Sequence, residues 1–279
     1  MGEWATVAAF LDKRFPAVGV AVWQSRFERG LVLDGCGRAL AAGDACRTGD
    51  TIYYYRELAQ ETVIPFAERI LYRDDQLLVA DKPHFLPVLP SGRFVQQTLL
   101  VRLKQATGIA TLSPLHRIDK DTAGLVLFSV NPATRDAYQA LFRTRAVQKT
   151  YLAVAPMLCN SGMPLRYRSR LVQDEHFFRT REVPGEPNSE TVVELLKQRD
   201  GLALYRLQPV SGRKHQLRVQ LAALGAPIVN DVLYPAVQPV VDDDFNRPLQ
   251  LLAQSLAFDD PLTGELRRFS STLSLQGWS

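Results

Sequence analysis

Strand-like and helix-like segments do not alternate regularly along this sequence, and this order constrains its fold more than any other feature. Alternating or branched apolar runs are typical of strands and occur at 69–81, 124–130, 148–155, 189–196 and 202–207. Apolar residues at helical spacing occur near 8–15, 22–30, 131–141 and 212–224. Because a parallel fold needs a helix between successive strands, we predict an α+β fold with a mixed, largely antiparallel sheet.

Local residue patterns predict the starts of two helices. Asn131 followed by Pro132 predicts a cap residue and a proline at the first helical position. The stretch Gly212–Leu224 predicts one continuous helix with Leu217 on its apolar stripe. Arg213 lies four residues before Leu217, so we expect the two side chains to share a helix face.

The 279 residues are enough for one large domain or two smaller ones. Residues 5–57 predict a small unit of two helices and short strands, and a polar connector, 56–64, ends at Pro65. We therefore predict a small α/β domain over 1–60 and a larger domain over 61–279.

Composition excludes several classes of protein. A hydrophobic fraction of 46% excludes a disordered chain, and no apolar run reaches the ~18 residues of a membrane span. The first fifteen residues lack the apolar core of an export signal. Three cysteines without CxxC spacing suggest neither a disulfide framework nor a zinc site. We expect a soluble, cytoplasmic, metal-free monomer.

Positive charge is concentrated in the middle of the chain. The net charge is +4, yet residues 93–151 alone hold nine basic and three acidic side chains, a net of +6. Such a segment can attract a polyanion such as RNA, although a solvated helix face is an equally open interpretation. The cations expected to bind RNA are Arg93, Arg102, Lys104 and Arg143. The run Asp242–Asp244 is expected to be a solvated loop.

The segment His116–Leu125 has the densest chemistry in the sequence. Asp119 lies between Arg117 and Lys120, immediately before an apolar strand. Nearby positive charge favours an ionised carboxylate, which suits a nucleophile or an electrostatic stabiliser. The alternative is a solvated turn with local ion pairs.

A second polar segment, Ser211–Arg218, begins the predicted late helix. Its cations and the N–H groups at a helix start favour an anion. The alternative is an ordinary surface helix with a basic cluster.

Taken together, these segments resemble the RluA-type pseudouridine synthases, which modify RNA. Four blocks match in order over roughly residues 66–272, and four in register are specific where one alone is not. They are Leu77–Pro83 with Pro87-Val88, His116–Asp119 with Thr122–Leu125, Lys149–Tyr151, and Ser211–Arg218 with Gly225–Ile228, Asp231 and Tyr234.

The resemblance implies a catalytic domain of pseudouridine-synthase type that isomerises uridine to pseudouridine in structured ribosomal or transfer RNA. The reaction breaks the base–ribose bond, rotates the uracil and rejoins it through carbon. No atom enters or leaves, so the resemblance implies no cofactor and no metal. Asp119 matches the catalytic aspartate at the anomeric carbon. Whether it attacks that carbon, removes a sugar proton or stabilises charge is left open.

The resemblance also assigns roles to the remaining site residues. Tyr151 and Arg213 complete the catalytic set. Tyr151 is expected to stack on the base and could help to remove its C5 proton, and Arg213 is expected to pair with Asp119. Leu217 is expected to pack against the tyrosine and base. Arg117 would fill the space left when the target base flips out of its stack, at a cost of a few kcal/mol. His116 would orient the loop, and Lys149 would contact the substrate.

Residues 5–57 also resemble a divergent alpha-L RNA-binding domain of the ribosomal-protein type. The net charge of zero over residues 1–60 departs from the basic surface expected of a strong RNA binder. In the larger domain, Gln220 and Asn230 stand where family members often have histidine and glycine. These two departures concern substrate preference and local packing more than the chemistry.

Two other classes of function remain open at this point. An RNA-binding or RNA-chaperone protein without useful catalysis would not need Asp119, Tyr151 and Arg213 together. A carboxylate glycosidase normally needs a second carboxylate, and we interpret Asp121 as part of a solvated turn.

Overall fold

The computed structural model describes residues 4–16, 18–55, 61–158, 162–239 and 242–278. The chain divides into two compact units, Met1–Gln60 and Glu61–Ser279. Cys159 and the first residues of the predicted connector, 56–60, lie outside the described ranges. None of the helices within these ranges is both long enough and apolar enough to cross a membrane.

The N-terminal unit contains two short helices and a two-stranded antiparallel sheet. The bounds are Val7–Arg14 (α1), Val20–Glu28 (α2), Val32–Leu33 (β1) and Tyr53–Tyr54 (β2). The Thr6 hydroxyl accepts a hydrogen bond from Ala9 N–H and caps α1. The core forms around Trp23, whose ring meets that of Tyr54 edge-on at 5.1 Å. Helical spacing therefore predicted both helices correctly.

The C-terminal unit is built on one mixed sheet of eleven strands. Its strands are Arg69–Arg73 (β3), Leu77–Lys82 (β4), Ser113–Pro114 (β5), Ala123–Ser129 (β6), Gln148–Pro156 (β7), Leu165–Gln173 (β8), Thr180–Val183 (β9), Ser189–Arg199 (β10), Leu202–Pro209 (β11), Leu251–Asp259 (β12) and Leu266–Ser270 (β13). The spatial order is β3-β4-β6-β12-β7-β11-β10-β8-β9, with β13 beside β12 and β5 beside β6. Among the described strands only β6 and β12 pair in parallel, which confirms the predicted α+β class.

Three helices accompany this sheet, and two of them begin later than predicted. Their bounds are Leu99–Thr107 (α3), Arg135–Arg143 (α4) and Gln216–Ala223 (α5). Before α4, the Asn131 carboxamide oxygen accepts from Ala133 N–H, which closes a turn over Pro132. Before α5, His215 has a left-handed backbone with φ of 55°, so Gly212–His215 lie outside the helix.

The core places the segment around Asp119 at the start of an interior strand. All seven residues of β6, which follows this segment, are buried. Helix α5 packs Leu217 and Leu221 against apolar residues of β7 and β11. Val219, on another side of the helix, packs with Leu171 and Tyr234. Because α5 is covered on several sides, every residue from Gln216 to Leu221 is buried, including Arg218.

Candidate active site

A cavity of about 880 Å³ lies over the segment before β6, the start of β7 and the segment before α5. Every site residue predicted from the sequence lines it: His116, Arg117, Asp119, Lys149, Tyr151, Arg213 and Leu217. The fold therefore brings the three later sequence blocks together around one space. Of the carboxylates in the described residues, Asp119 alone lines that space.

Asp119 is half-buried and faces two basic side chains of the later block. Arg218 Nη1 donates to Asp119 Oδ2 at 3.3 Å, and His215 Nε2 lies 3.8 Å from Oδ1. The Thr122 N–H donates to the Asp119 carbonyl at 3.2 Å, which closes a turn just before β6. The carboxylate is thus held on a tight turn with 26% of its side chain exposed to the cavity.

Arg218 is fixed from behind by a second carboxylate. Its Nε and Nη2 donate to the two oxygens of Asp231, each at 2.7 Å, and both side chains are buried. Asp231 also accepts from the Leu233 and Tyr234 N–H groups. Although burial lowers the pKa of the Arg218 guanidinium, its hydrogen bonds to Asp231 and the charges of Asp231 and Asp119 raise it overall. Arg218 therefore presents a permanent, oriented charge to Asp119.

The predicted pair between Arg213 and Asp119 is wrong, because Arg218 occupies that place. Arg213 is exposed, and its Nε donates to the Asn188 carbonyl at 3.3 Å. The predicted helix face shared by Arg213 and Leu217 is also wrong. Helix α5 begins at Gln216, so Arg213 lies on the preceding loop. Its guanidinium lines the cavity but does not contact the carboxylate.

Tyr151 and Leu217 form an apolar part of the cavity wall. Tyr151 packs against the core cluster that contains Leu217 and Leu251, and all three line the cavity. Burial, reinforced by the negative charge of Asp119, raises the pKa of the Tyr151 phenol above its ordinary value. The ring is therefore neutral near neutral pH and offers a flat apolar face.

His116 is part of the scaffold of the cavity. Its Nε2 accepts from the Leu127 N–H of β6 at 3.1 Å, and its ring stacks on Phe142 at 4.7 Å between centroids. Burial lowers the pKa of His116 to about 3, and the charge of Lys149 acts in the same direction. A neutral imidazole that accepts from a backbone N–H orients the segment rather than transferring protons.

The rim of the cavity is strongly basic. The cations that line it are Arg117, Lys120, Arg143, Arg145, Lys149, Arg213, Lys214 and Arg218. Burial lowers the pKa of Lys149, and its Nζ lies 3.4 Å from the Ser211 carbonyl. Against a single lining carboxylate, this rim favours a polyanionic ligand.

Comparison with known proteins identifies the family to which the chain belongs. The family described as RNA pseudouridylate synthase matches residues 76–223, slightly more than half of the chain. The chain belongs to this family. It is therefore an isomerase of the RNA pseudouridine synthase class, as the four sequence blocks predicted.

Individual relatives agree with this membership. An uncharacterised RNA pseudouridine synthase of Synechocystis is 28% identical over 231 residues, covering 81% of this chain and 78% of the relative. The dual-specificity RNA pseudouridine synthase RluA of Haemophilus influenzae is 30% identical and covers 72% of this chain and 91% of its own. The structure of human RNA pseudouridylate synthase domain containing 1 superposes with a TM-score of 0.62 at 23% identity, covering 77% of this chain and 86% of that one. The chain spans only 31% of another relative, human pseudouridylate synthase RPUSD2.

Several residues that shape the synthase site were missed by sequence reasoning. Lys82, fully buried beneath the site, donates to the Pro83 and Lys120 carbonyls, each at 2.9 Å. Burial lowers its pKa to about 7, opposed by the charges of Asp121 and Asp119. The available signal was a lysine at the end of an apolar strand, which is a rare position for an unpaired charge.

The loop that carries Arg213 also depends on a residue that was missed. The Gln216 carboxamide oxygen accepts from the Ser211 hydroxyl at 2.7 Å and from Arg213 N–H at 3.1 Å. Its nitrogen donates to the Glu190 carbonyl and the Thr191 hydroxyl. A buried amide with all of these partners fixes the loop against β10.

The expected solvated loop over Asp242–Asp244 is wrong for Asp243. The Asp243 carboxylate, 11% exposed, pairs with both Lys120 and Arg93, and Asp242 also pairs with Arg93. Tertiary packing brings this acidic run, more than a hundred residues later in sequence, onto the segment next to Asp119. Within the described part of the chain, no cluster of three or more histidine, cysteine, aspartate or glutamate side chains has the geometry to hold a metal ion.

Proposed function

We propose that this synthase isomerises specific uridines in folded ribosomal or transfer RNA, as a monomer without a cofactor, with Asp119 at the ribose anomeric carbon. One observation carries the assignment: Asp119 is the lining carboxylate of a basic cavity and is held there by the buried Arg218–Asp231 pair. Positive character develops at the anomeric carbon as the base–ribose bond breaks, and a preorganised carboxylate stabilises it.

The other lining residues fit the handling of a flipped base. Tyr151 would stack on the uracil, and Leu217 would pack beside both, since the two side chains belong to one core cluster. The raised pKa of Tyr151 supports stacking by a neutral ring rather than proton removal by a phenolate. Leaving uracil bears negative charge itself, so the site does not need a second carboxylate to protonate it.

Cations on the rim would hold the RNA around the flipped nucleotide. Arg117 is exposed and lines the cavity, where its planar group can occupy the space left by the target base. Lys149, Arg213 and Lys214 lie within reach of phosphates on the same rim. The known reaction of the family and this charge arrangement support the same substrate class, a structured RNA.

The N-terminal unit is proposed to add an RNA contact of its own. Its resemblance to alpha-L domains supports this role, and Tyr53 and Tyr55 on or next to β2 are more than half exposed. Ultraviolet cross-linking of the full chain to its RNA, followed by peptide mapping, should yield adducts within residues 4–55. Adducts restricted to the larger unit would contradict the role.

The proposed reaction is tested by mapping pseudouridine in RNA treated with the purified protein. Transfer and ribosomal RNA from a strain lacking the gene should acquire pseudouridine at defined positions with the wild type. Asp119→Asn, which keeps the size of the side chain, should bind the same RNA and form none. Absence of any new site in both RNA classes would overturn the proposal, and release of free uracil would indicate a glycosidase instead.

A further inference from the structure

The turn between β8 and β9 exposes aromatic rings that the proposed reaction does not use. Phe177 is 77% exposed, and Phe178 is 37% exposed. The two rings meet edge-on at 5.5 Å, and His176 stacks on Phe178 at 5.5 Å. An exposed phenylalanine at a hairpin tip contributes little to the core, so such a surface is typical of a binding contact.

Hydrogen bonds order this tip. The Asp174 carboxylate accepts from His176 N–H at 3.1 Å, and Arg179 N–H donates to the His176 carbonyl at 2.8 Å. Asp174 N–H in turn donates to the Arg179 carbonyl. The aromatic rings are thus carried on a closed turn that limits the entropy lost when they engage a ligand.

Two contacts tie the tip to the active site. Lys214 Nζ donates to the Phe177 carbonyl at 3.2 Å, and Lys214 lines the cavity around Asp119. At the base of the hairpin, the Tyr234 hydroxyl accepts from Thr180 N–H and donates to the Thr180 carbonyl, each at 2.9 Å. The turn is therefore continuous with the basic rim of the cavity.

Tyr234 links the hairpin to the catalytic charges as well. Its single hydroxyl hydrogen goes to Thr180, so His215 donates from Nδ1 to the same oxygen at 3.0 Å. The Arg218 guanidinium lies 5.5 Å from the centre of the Tyr234 ring, and that of Arg179 lies 4.9 Å from it. These contacts set the hairpin at a defined position relative to Asp119.

We propose that Phe177 is a stacking platform for an unpaired nucleobase next to the target uridine. An aromatic face beside Lys214 and Arg179 combines the two features that bind single-stranded RNA, base stacking and phosphate attraction. Continuity with the RNA cavity favours a nucleobase over a protein partner. The inference rests on the proposed function, because the neighbouring nucleotide is placed by the uridine in the cavity.

The test compares binding of a short oligouridylate and of inorganic polyphosphate to the full chain. Phe177→Ala should weaken oligouridylate binding by about tenfold, the scale of one base–aromatic stack, and leave polyphosphate binding unchanged. Phe177→Tyr keeps the ring and should restore oligouridylate affinity. Leu262→Ala, which removes another exposed apolar side chain outside the cavity lining, should change neither.

Three results would overturn the platform. They are failure of the wild type to bind oligouridylate, wild-type affinity in Phe177→Ala, or equal loss of oligouridylate and polyphosphate binding in that variant. Failure of the platform proposal can be distinguished from failure of the proposed function. If the wild type forms pseudouridine while Phe177→Ala binds normally, only the platform is wrong. If no pseudouridine forms while the oligouridylate result holds, only the reaction is wrong.

Discussion

The buried charges of Arg218 and Asp231 decide how the Asp119 carboxylate is held. Arg218 is 1% exposed and donates from Nε and Nη2 to Asp231 behind it and from Nη1 to Asp119 in the cavity. A buried ion pair adds little net stability, yet removing one partner leaves the other charge uncompensated. Arg213, by contrast, is exposed and bonded to one carbonyl.

Replacing these two arginines should therefore separate their roles. Arg218→Met leaves Asp231 buried without its cation and should lower the free energy of unfolding by about 3–5 kcal/mol. Arg213→Met, the matched control, should change it by less than about 0.5 kcal/mol. Urea denaturation measures both. Pseudouridine formation should be lost in Arg218→Met and retained, with weaker RNA binding, in Arg213→Met; the reverse order would restore the pairing predicted from sequence.

Lys82 makes the stability of the unit depend on pH. Its pKa is about 7 in the fold and 10.5 in an ordinary lysine, so between these values the unfolded chain binds a proton that the folded chain does not. Stability from this residue therefore rises with pH across that window and is constant below it. The unfolding free energy of wild type minus that of Lys82→Met should increase from neutral pH to about pH 9, by up to about 1.4 kcal/mol per pH unit.

Lys197→Met, at an exposed lysine, is the matched control for loss of a charge. A difference between wild type and Lys82→Met that stays the same at both pH values would show that Lys82 is charged in the fold throughout the window.

The two departures from the family pattern have local explanations. Gln220 is buried and donates to Ser169 and Ser189 while accepting from Thr191, which is a complete hydrogen-bond set. Asn230 has φ of 63°, a left-handed conformation that asparagine tolerates better than most residues other than glycine. Both therefore act on packing, away from the reacting atoms.

At the scale of elements, the parallel pairing of β6 with β12 positions the catalytic turn. Gly124 pairs opposite Ala253 in this ladder, only five residues after Asp119. Its φ is +109°, and a Cβ there would lie 2.7 Å from the Ala253 backbone nitrogen and closer still to the oxygen. Backbone cannot move aside as a flexible side chain does, so this position requires glycine.

Gly124→Ala should therefore break the β6–β12 contact. We expect a loss in the free energy of unfolding of more than about 4 kcal/mol, or no folded protein at all. Gly225→Ala is the control, because Gly225 also has positive φ but faces open space, and it should cost about 1 kcal/mol. Comparable losses in both variants, measured by thermal or urea unfolding, would show that conformational strain rather than backbone crowding sets the cost.

At the scale of the whole molecule, the positive charge is redistributed by folding. Of the four cations expected to bind RNA, only Arg143 lines the cavity. Arg102 donates to the Ile64 and Phe66 carbonyls and pairs with Glu68, a structural role. Arg93 is paired with the acidic run at Asp242 and Asp243. The effective RNA surface is therefore the cavity lining, which also holds Arg145, Lys149, Arg213 and Lys214.

This asymmetry predicts opposite effects of two kinds of substitution on RNA affinity. Arg145→Ala combined with Lys214→Ala should weaken binding and reduce the slope of log affinity against log salt by roughly 0.7–0.9 per lost phosphate contact. Asp243→Asn removes one acidic partner from each of Lys120 and Arg93, and should strengthen binding and steepen the slope. Binding titrations of transfer RNA over a range of salt concentrations measure both.

Asp244→Asn is the matched control, since Asp244 is exposed and accepts from Asn246 N–H rather than from a cation. Equal effects of Asp243→Asn and Asp244→Asn would mean that net charge alone, and not release of the paired cations, governs affinity.

The sequence by itself determined the class of fold, the family and seven of the residues that line the cavity. Local spacing reports which segments are strands or helices, and four ordered blocks identify the chemistry around Asp119 and Tyr151. The tertiary structure decided which arginine meets the carboxylate. Arg213 and Arg218 are five residues apart in one block, and only the left-handed turn at His215 and the late start of α5 direct Arg218 to Asp119. Pairing across more than ninety residues depends on where elements pack, which residue types in a short segment do not encode.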